Sequence, residues 1–190
     1  MQEQRRLSAA VVALAGRRVD APGAYPPRFP VGNVPLVRRR LAEVLAAEDT
    51  RTLVCSAACG ADLIALEEAE KLGLRRRIVL PFAPERFRRT SVADRPGGWG
   101  PEFDRLVAAA RGAGELVVLD GAGEGDAAYA AANEAIVREA VALAEAGGIA
   151  HRPVAVVVWE GAPRDGTDAT QGFLELAAAA GFEPRSVPTL

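Results

Sequence analysis

Five short runs of apolar residues punctuate the chain, at 9–15, 52–55, 77–80, 115–119 and 153–159, and each gives way to a loop-like cluster. Between them the period changes. Val37, Leu41, Val44 and Leu45, and then Phe103, Leu106, Val107 and Ala110, recur at the i, i+3/i+4, i+7 spacing of a helix with one apolar stripe. Runs that are apolar throughout, without alternation, suit strands covered on both faces. Their regular exchange with helices predicts an α/β fold: a three-layer, Rossmann-like domain with a mainly parallel sheet of five or six strands and right-handed crossovers. The last strand falls at 183–187, after a helix around 173–180. No internal repeat or low-complexity linker divides the 190 residues, so 1–190 reads as a single domain. The alanine-rich stretches at 127–132 and 177–180 are helix formers, and they offer surface for a homo-oligomer.

In open parallel sheets ligands lie beyond the carboxyl ends of the strands, where the strand order reverses. The exits of the first and third strands, 16–35 and 81–101, are long. Loops beyond roughly 12–15 residues in compact domains are usually functional or disordered. Two such insertions on one edge predict a lidded pocket.

Composition narrows the chemistry. A net charge of −2, from 23 basic and 25 acidic side chains, gives no electrostatic footprint of a duplex-DNA or anionic-membrane binder. Duplex nucleic acid and membrane are therefore not expected as partners. No stretch approaches the ~20 apolar residues of a spanning helix, and the first residues lack an apolar signal core, so a cytoplasmic protein is expected. The one lysine, Lys71, stands at an apparent helix end, where it suits capping electrostatics better than Schiff-base chemistry. His151, Cys55 and Cys59 are too few for a metal cluster, and the cysteines read as buried free thiols. Neither metal nor cofactor is expected, and any catalysis must run on carboxylates.

The most informative segment is Cys55-Ser56-Ala57-Ala58-Cys59-Gly60-Ala61-Asp62, between the second strand and the next helix. Small residues let a ligand approach the backbone, and the helix start offers unpaired N–H groups to a phosphate. Ser56, Gly60, Ala61 and Asp62 are the candidates there, with Asp62 either capping the helix or accepting from a ribose hydroxyl or a base. The plain alternative is a tight turn with a dipole-favoured aspartate. Gly16 and Arg17 close the first strand, a glycine for close approach and a planar fork for phosphate, or else a simple turn. Arg86, Arg88 and Arg89 with Thr90 and Ser91 add donors after the third strand. Asp126, Tyr129 and Asn133 share one face of the fifth helix, with Asp126 as its natural cap; Tyr129 reads equally as a core aromatic. Gly166, Thr167 and Thr170 would complete a polar cup, or Asp168 and Thr167 simply cap the last helix. Pro96-Gly97-Gly98-Trp99-Gly100 reads as a flexible lid segment. Neither GxGxxG nor GxxxxGK[ST] is present, which disfavours dehydrogenase-type and P-loop nucleotide binding.

Taken in order, Gly16-Arg17, the segment 56–62, the stretch 81–92, Ala128-Tyr129 with Asn133, and Gly166-Thr167-Asp168-Ala169-Thr170 resemble the SLOG superfamily. These Rossmann-like domains group LOG phosphoribohydrolases, DNA-processing DprA proteins and nucleotide-sensing modules of bacterial signalling and defence systems. The chain is similar in particular to SLOG-type domains attached to bacterial signalling and tetratricopeptide-repeat proteins. The resemblance implies a nucleotide-derived ligand, a nucleotide, nucleotide-sugar or ADP-ribose-like molecule, at the strand carboxyl ends. Gly16, Arg17, Ser56, Gly60, Ala61, Asp62, Arg89, Ser91, Asn133, Gly166, Thr167 and Thr170 are the expected contacts. The PGGxGTxxE motif that carries LOG hydrolysis is absent. Binding or sensing is therefore the leading expectation. Hydrolysis or transfer of a nucleoside or nucleotide N-glycoside by one of Asp62, Asp126 and Asp168 is the enzymatic alternative. A protein-interaction module with a vestigial pocket is the third.

Overall fold

The computed structural model describes residues 9–146 and 150–190. They form β1 (Ala10–Gly16), a 3-10 turn (Val31–Asn33), α1 (Val34–Ala47), β2 (Thr50–Cys55), α2 (Ala61–Lys71), β3 (Arg75–Leu80) and α3 (Pro84–Phe87). There follow α4 (Gly100–Gly112), β4 (Leu116–Val118), α5 (Gly125–Glu145), β5 (Arg152–Trp159), α6 (Ala169–Ala179) and β6 (Glu183–Pro188). The six strands form one sheet in the order β4-β3-β2-β1-β5-β6. Every neighbouring pair is parallel. This is the expected Rossmann-like α/β architecture. No helix among the described residues is long and apolar enough to cross a membrane.

The uninterrupted apolar character of β1 follows from burial on both sides. Ala10, Val12 and Leu14 pack with α1, α2 and α4, through Val37, Leu41, Leu63, Leu66 and Phe103. Val11 and Ala13 face the other way, onto Ile136 and Ala140 of α5 and Phe173 and Ala177 of α6. The chain first steps from β1 outward to β4, then crosses back to place β5 on the other side of β1. The strand order thus reverses between β1 and β5, which fixes where a crevice must open.

Differences from the expected elements lie at their ends. β3 begins at Arg75, two residues before its apolar run, because Arg75 and Arg77 are both held by Glu115, at 2.6 Å each. β4 is short, an edge strand bonded on one side to β3. The stretch 81–101 is largely helical: α3 runs on into a π-helical turn at Arg88–Val92. The Pro96–Gly100 segment is packed too, since Trp99 is 7% exposed and its indole N–H donates to Pro96 O at 2.8 Å. The lid expected there is a folded wall.

Gly16 shows why the strand tip must be small. A Cβ there would lie 2.5 Å from Ala61 Cβ, 2.6 Å from Val158 Cβ and 2.7 Å from Val158 O. Gly16→Ala is expected to lower unfolding stability by about 2–3 kcal/mol, the scale of overpacking in a rigid core. The urea midpoint measures it, and an unchanged midpoint would show that α2 can move away from β1.

Candidate functional site

A cavity of about 500 Å³ opens at the switch point, beyond the carboxyl ends of β1 and β2 and against α5 and the start of α6. Gly16, Arg17, Ser56, Asp62, Ser91, Asn133, Thr167 and Thr170 all line it. Gly60, Ala61, Arg89 and Gly166 lie outside its lining. Sequence elements far apart in the chain therefore converge as expected, although several of the side chains already have partners.

The start of α2 departs most from expectation. Gly60 has φ +97, and a Cβ on it would meet Val19 N at 2.8 Å and Arg17 O at 2.9 Å. The Ala61 N–H donates to Arg17 O at 3.2 Å, and the Cys59 N–H donates to Ser91 O at 3.1 Å. The backbone leaving β1 thus lies on the helix start where an anion was expected. Gly60 and Ala61 serve that close packing. Asp62 does not cap the helix either: Gly60 is the N-cap, without a side-chain bond. Instead the Asp62 carboxylate accepts the Ala58 N–H at 3.1 Å and faces the cavity. It is 6% exposed. Burial pushes its pKa up to about 7, against the opposing Ala58 N–H. Close by in sequence, Ser56 Oγ is buried and has no hydrogen-bond partner among the described residues.

Opposite stand residues of the π-helical turn after α3 and of α5. The hydroxyls of Ser91 and Tyr129 are 2.8 Å apart, with Tyr129 edge-on to Phe82. Asn133 Nδ2 donates to Ala169 O at 2.7 Å, joining α5 to α6. Glu124 is the N-cap residue of α5, so Asp126 sits inside the first turn and lines the cavity.

Arg17 is 1% exposed and is held on three sides. Its Nε donates to Glu160 Oε2 at 2.8 Å, Nη1 to Asp168 Oδ1 at 2.7 Å and Nη2 to Ala162 O at 2.9 Å. The ring of Trp159 lies 5.9 Å from the guanidinium carbon. Glu160 also binds Arg28, and Asp168 caps α6 by accepting the Thr170 N–H at 2.9 Å as well as the Arg164 N–H at 2.7 Å. Burial opposes ionisation of Asp168, but the Arg17 and Arg164 hydrogen bonds hold its pKa down to about 2. Glu160 is lowered in the same way, burial being outweighed by Arg17. The phosphate fork expected of Arg17 is thus already occupied by two carboxylates.

The remaining basic groups redistribute as well. Arg86 pairs with Glu124 and lies over Phe82, and Arg88 pairs with Asp104. None of Arg86, Arg88 and Arg89 lines the cavity, whereas Arg18, Arg28, Arg95 and Arg164 do. These four sit in irregular segments with no period to mark them, and no sequence signal could have selected them. Arg18 and Arg95 share Asp94. The guanidinium of Arg164 has no ion pair or hydrogen bond among the described residues. Burial and the neighbouring charge of Arg17 lower its pKa. Asp20 clasps the first loop by accepting the N–H groups of Arg28 and Phe29, both at 3.0 Å. The thiols are buried; burial pushes Cys59 up to about 11, which removes it as a nucleophile at neutral pH.

The structure of DNA processing protein A (DprA) from Streptococcus pneumoniae is similar to this chain, with a TM-score of 0.55 and 14% sequence identity. The match covers 96% of this chain and 51% of that one, so the chain spans about half the length of DprA. No protein-family model and no curated protein matches. The likeness corrects one expectation. Near-zero net charge was read as excluding duplex nucleic acid, yet a DNA-processing protein carries this fold. Net charge is a sum over the surface and says nothing about where the charges lie.

Two outcomes follow from the buried carboxylates. Arg17→Ala leaves Glu160 and Asp168 without their shared partner and is expected to lower stability by about 3–5 kcal/mol, read from urea unfolding at pH 7. Asp62 behaves oppositely to the paired carboxylates. Its ordinary value is 3.8 and its folded value about 7, so the folded state binds more protons between those limits. Its contribution to stability is intact below about pH 4 and is lost as pH rises through about 7. Asp62→Asn is therefore expected to raise the melting temperature at pH 8 and leave it nearly unchanged at pH 4. A loss at both pH values would mean that the carboxyl is structural.

Proposed function

We propose that the chain is a SLOG-type domain that binds a nucleotide-derived small molecule in the cavity between β1, β2, α5 and α6. The observation that carries this reading is the convergence of polar side chains on one well-sized cavity at the switch point of a parallel sheet. Ligand sites of this size, roughly 300–1,000 Å³, are typically apolar clefts with a few placed polar groups. Leu14, Phe87 and Ile136 supply the apolar wall; Ser56, Asp62, Tyr129, Thr167 and Thr170 supply the polar groups. The order of the small-residue and threonine segments supports the family, and the likeness to DprA supports the fold it requires.

A second reading has its own observation. A carboxyl group inside a cavity with a pKa of about 7 is able to give and take a proton near neutrality. Asp62 would then act on the N-glycosidic bond of a bound nucleoside or nucleotide, activating water at the anomeric carbon.

A thermal-shift panel of nucleosides, nucleotides, ADP-ribose and NAD-related compounds tests both readings. A ligand at a hundred times its Kd adds about 2.7 kcal/mol, and about 1 kcal/mol moves the midpoint by roughly 2–4 °C at this chain length. A shift of roughly 5–10 °C is therefore expected from a cognate compound. Chromatography of the stabilising mixture then shows intact ligand for a binding domain and free base for a hydrolase. Absence of any shift across the panel overturns both.

A further inference from the structure

The orientation of the ligand follows from where the cavity keeps its unmet polar groups, and this step rests on the reading of the cavity as a nucleotide site. At its inner end three of the backbone donors leading into α2 are already taken. The Ala61 N–H is held by Arg17 O, the Cys59 N–H by Ser91 O and the Ala58 N–H by Asp62 itself. The carboxyl of Asp62, 6% exposed, stands at the helix start where a phosphate would otherwise lie. An anion placed there meets a carboxyl that becomes negative as pH rises through about 7. Ser56 Oγ, buried without a partner, calls for a hydrogen-bonding group from a ligand that reaches this depth.

The opposite condition holds at the rim. Arg17 and Arg28 are neutralised by Glu160 and Asp168, while Arg164, on the loop between β5 and α6, lines the cavity with no partner among the described residues for its guanidinium. It feels the charge of Arg17 and Arg28, opposed by that of Asp168 and Glu160, and an anion would add to the attraction.

We infer that the ligand lies nucleoside-inward, with hydroxyl or amino donors of its sugar or base on Asp62 and Ser56, and with its phosphate at the rim on Arg164. This is the reverse of the arrangement in which the N-terminus of α2 holds the phosphate. It assigns Arg164 as the phosphate contact and Asp62 as a reader of neutral polar groups.

Titration calorimetry tests the orientation, using the four common ribonucleosides and their 5′-monophosphates on the wild-type chain and on Arg164→Gln, Arg164→Lys and Asp62→Asn. The cognate monophosphate is expected to bind about tenfold or more tighter than its nucleoside, the scale of charge-assisted hydrogen bonds. Arg164→Gln should remove that advantage and leave nucleoside affinity unchanged, while Arg164→Lys should retain most of it. Asp62→Asn should weaken nucleoside and monophosphate by the same factor. Selective tightening of the monophosphate by Asp62→Asn would place the phosphate inward and overturn the inference. Equal loss of both ligands in Arg164→Gln would overturn it too. If no nucleoside or monophosphate binds the wild-type chain, the nucleotide reading of the cavity itself falls, a result distinct from either reversal.

Discussion

The buried guanidinium of Arg17 is the interaction on which the ligand edge depends. It sits directly after β1, reaches Glu160 directly after β5, and reaches Asp168 at the cap of α6. These are the two strands between which the strand order reverses. One planar cation with two carboxylates fixes both strand exits and the first turn of α6 in a single arrangement. The arrangement is unforgiving, because three charges removed from water are stable only together. Arg28 adds a further tie from the first loop to Glu160, so the strap over the cavity is anchored to the same cluster.

That cluster also decides the electrostatics of the cavity. With Arg17 and Arg28 matched by carboxylates, what remains is the carboxyl of Asp62 inside, Arg18 and Arg95 sharing Asp94, and Arg164 with no ion pair among the described residues. The start of α2 is likewise partly occupied by the protein, the Ala61 N–H by Arg17 O and the preceding Ala58 N–H by Asp62. The helix dipole has its negative partner already, in a side chain supplied by the helix itself. A fold in which phosphate is usually met by backbone N–H groups has here been given a carboxyl at that position. Such a site is suited to neutral donors deep inside and to negative charge near solvent.

Much of this organisation was legible before any coordinates. The apolar runs marked five strands within a residue or two, because burial on both faces leaves no room for polar residues, as at Val11 and Val12. The stripes at Val37, Leu41 and Leu45 and at Phe103, Leu106 and Ala110 marked the helices that cover one face. Gly16, Ser56, Asp62, Thr167 and Thr170 stand at strand exits and helix starts, Asn133 on one face of α5, and topology carries all of them to the lining of one cavity. Gly60 and Ala61 stand where a ligand was expected to approach the backbone, and both lie outside the cavity lining. What approaches is the chain's own backbone at Arg17 and Val19.

Sequence by itself thus determined the layers, the sheet and the edge at which chemistry belongs, since these follow from local period and from the rule that fixes the switch point. Tertiary structure alone decided which charges remain free. Arg17, Arg86 and Arg88 look like phosphate ligands in the sequence but are taken by Glu160, Asp168, Glu124 and Asp104, partners up to 151 residues away. Arg164 has nothing in its neighbourhood to distinguish it from an ordinary loop cation, yet it lines the cavity with no ion pair among the described residues. Pairing of charges is a property of distance in space, and the linear spacing of arginines carries no record of it.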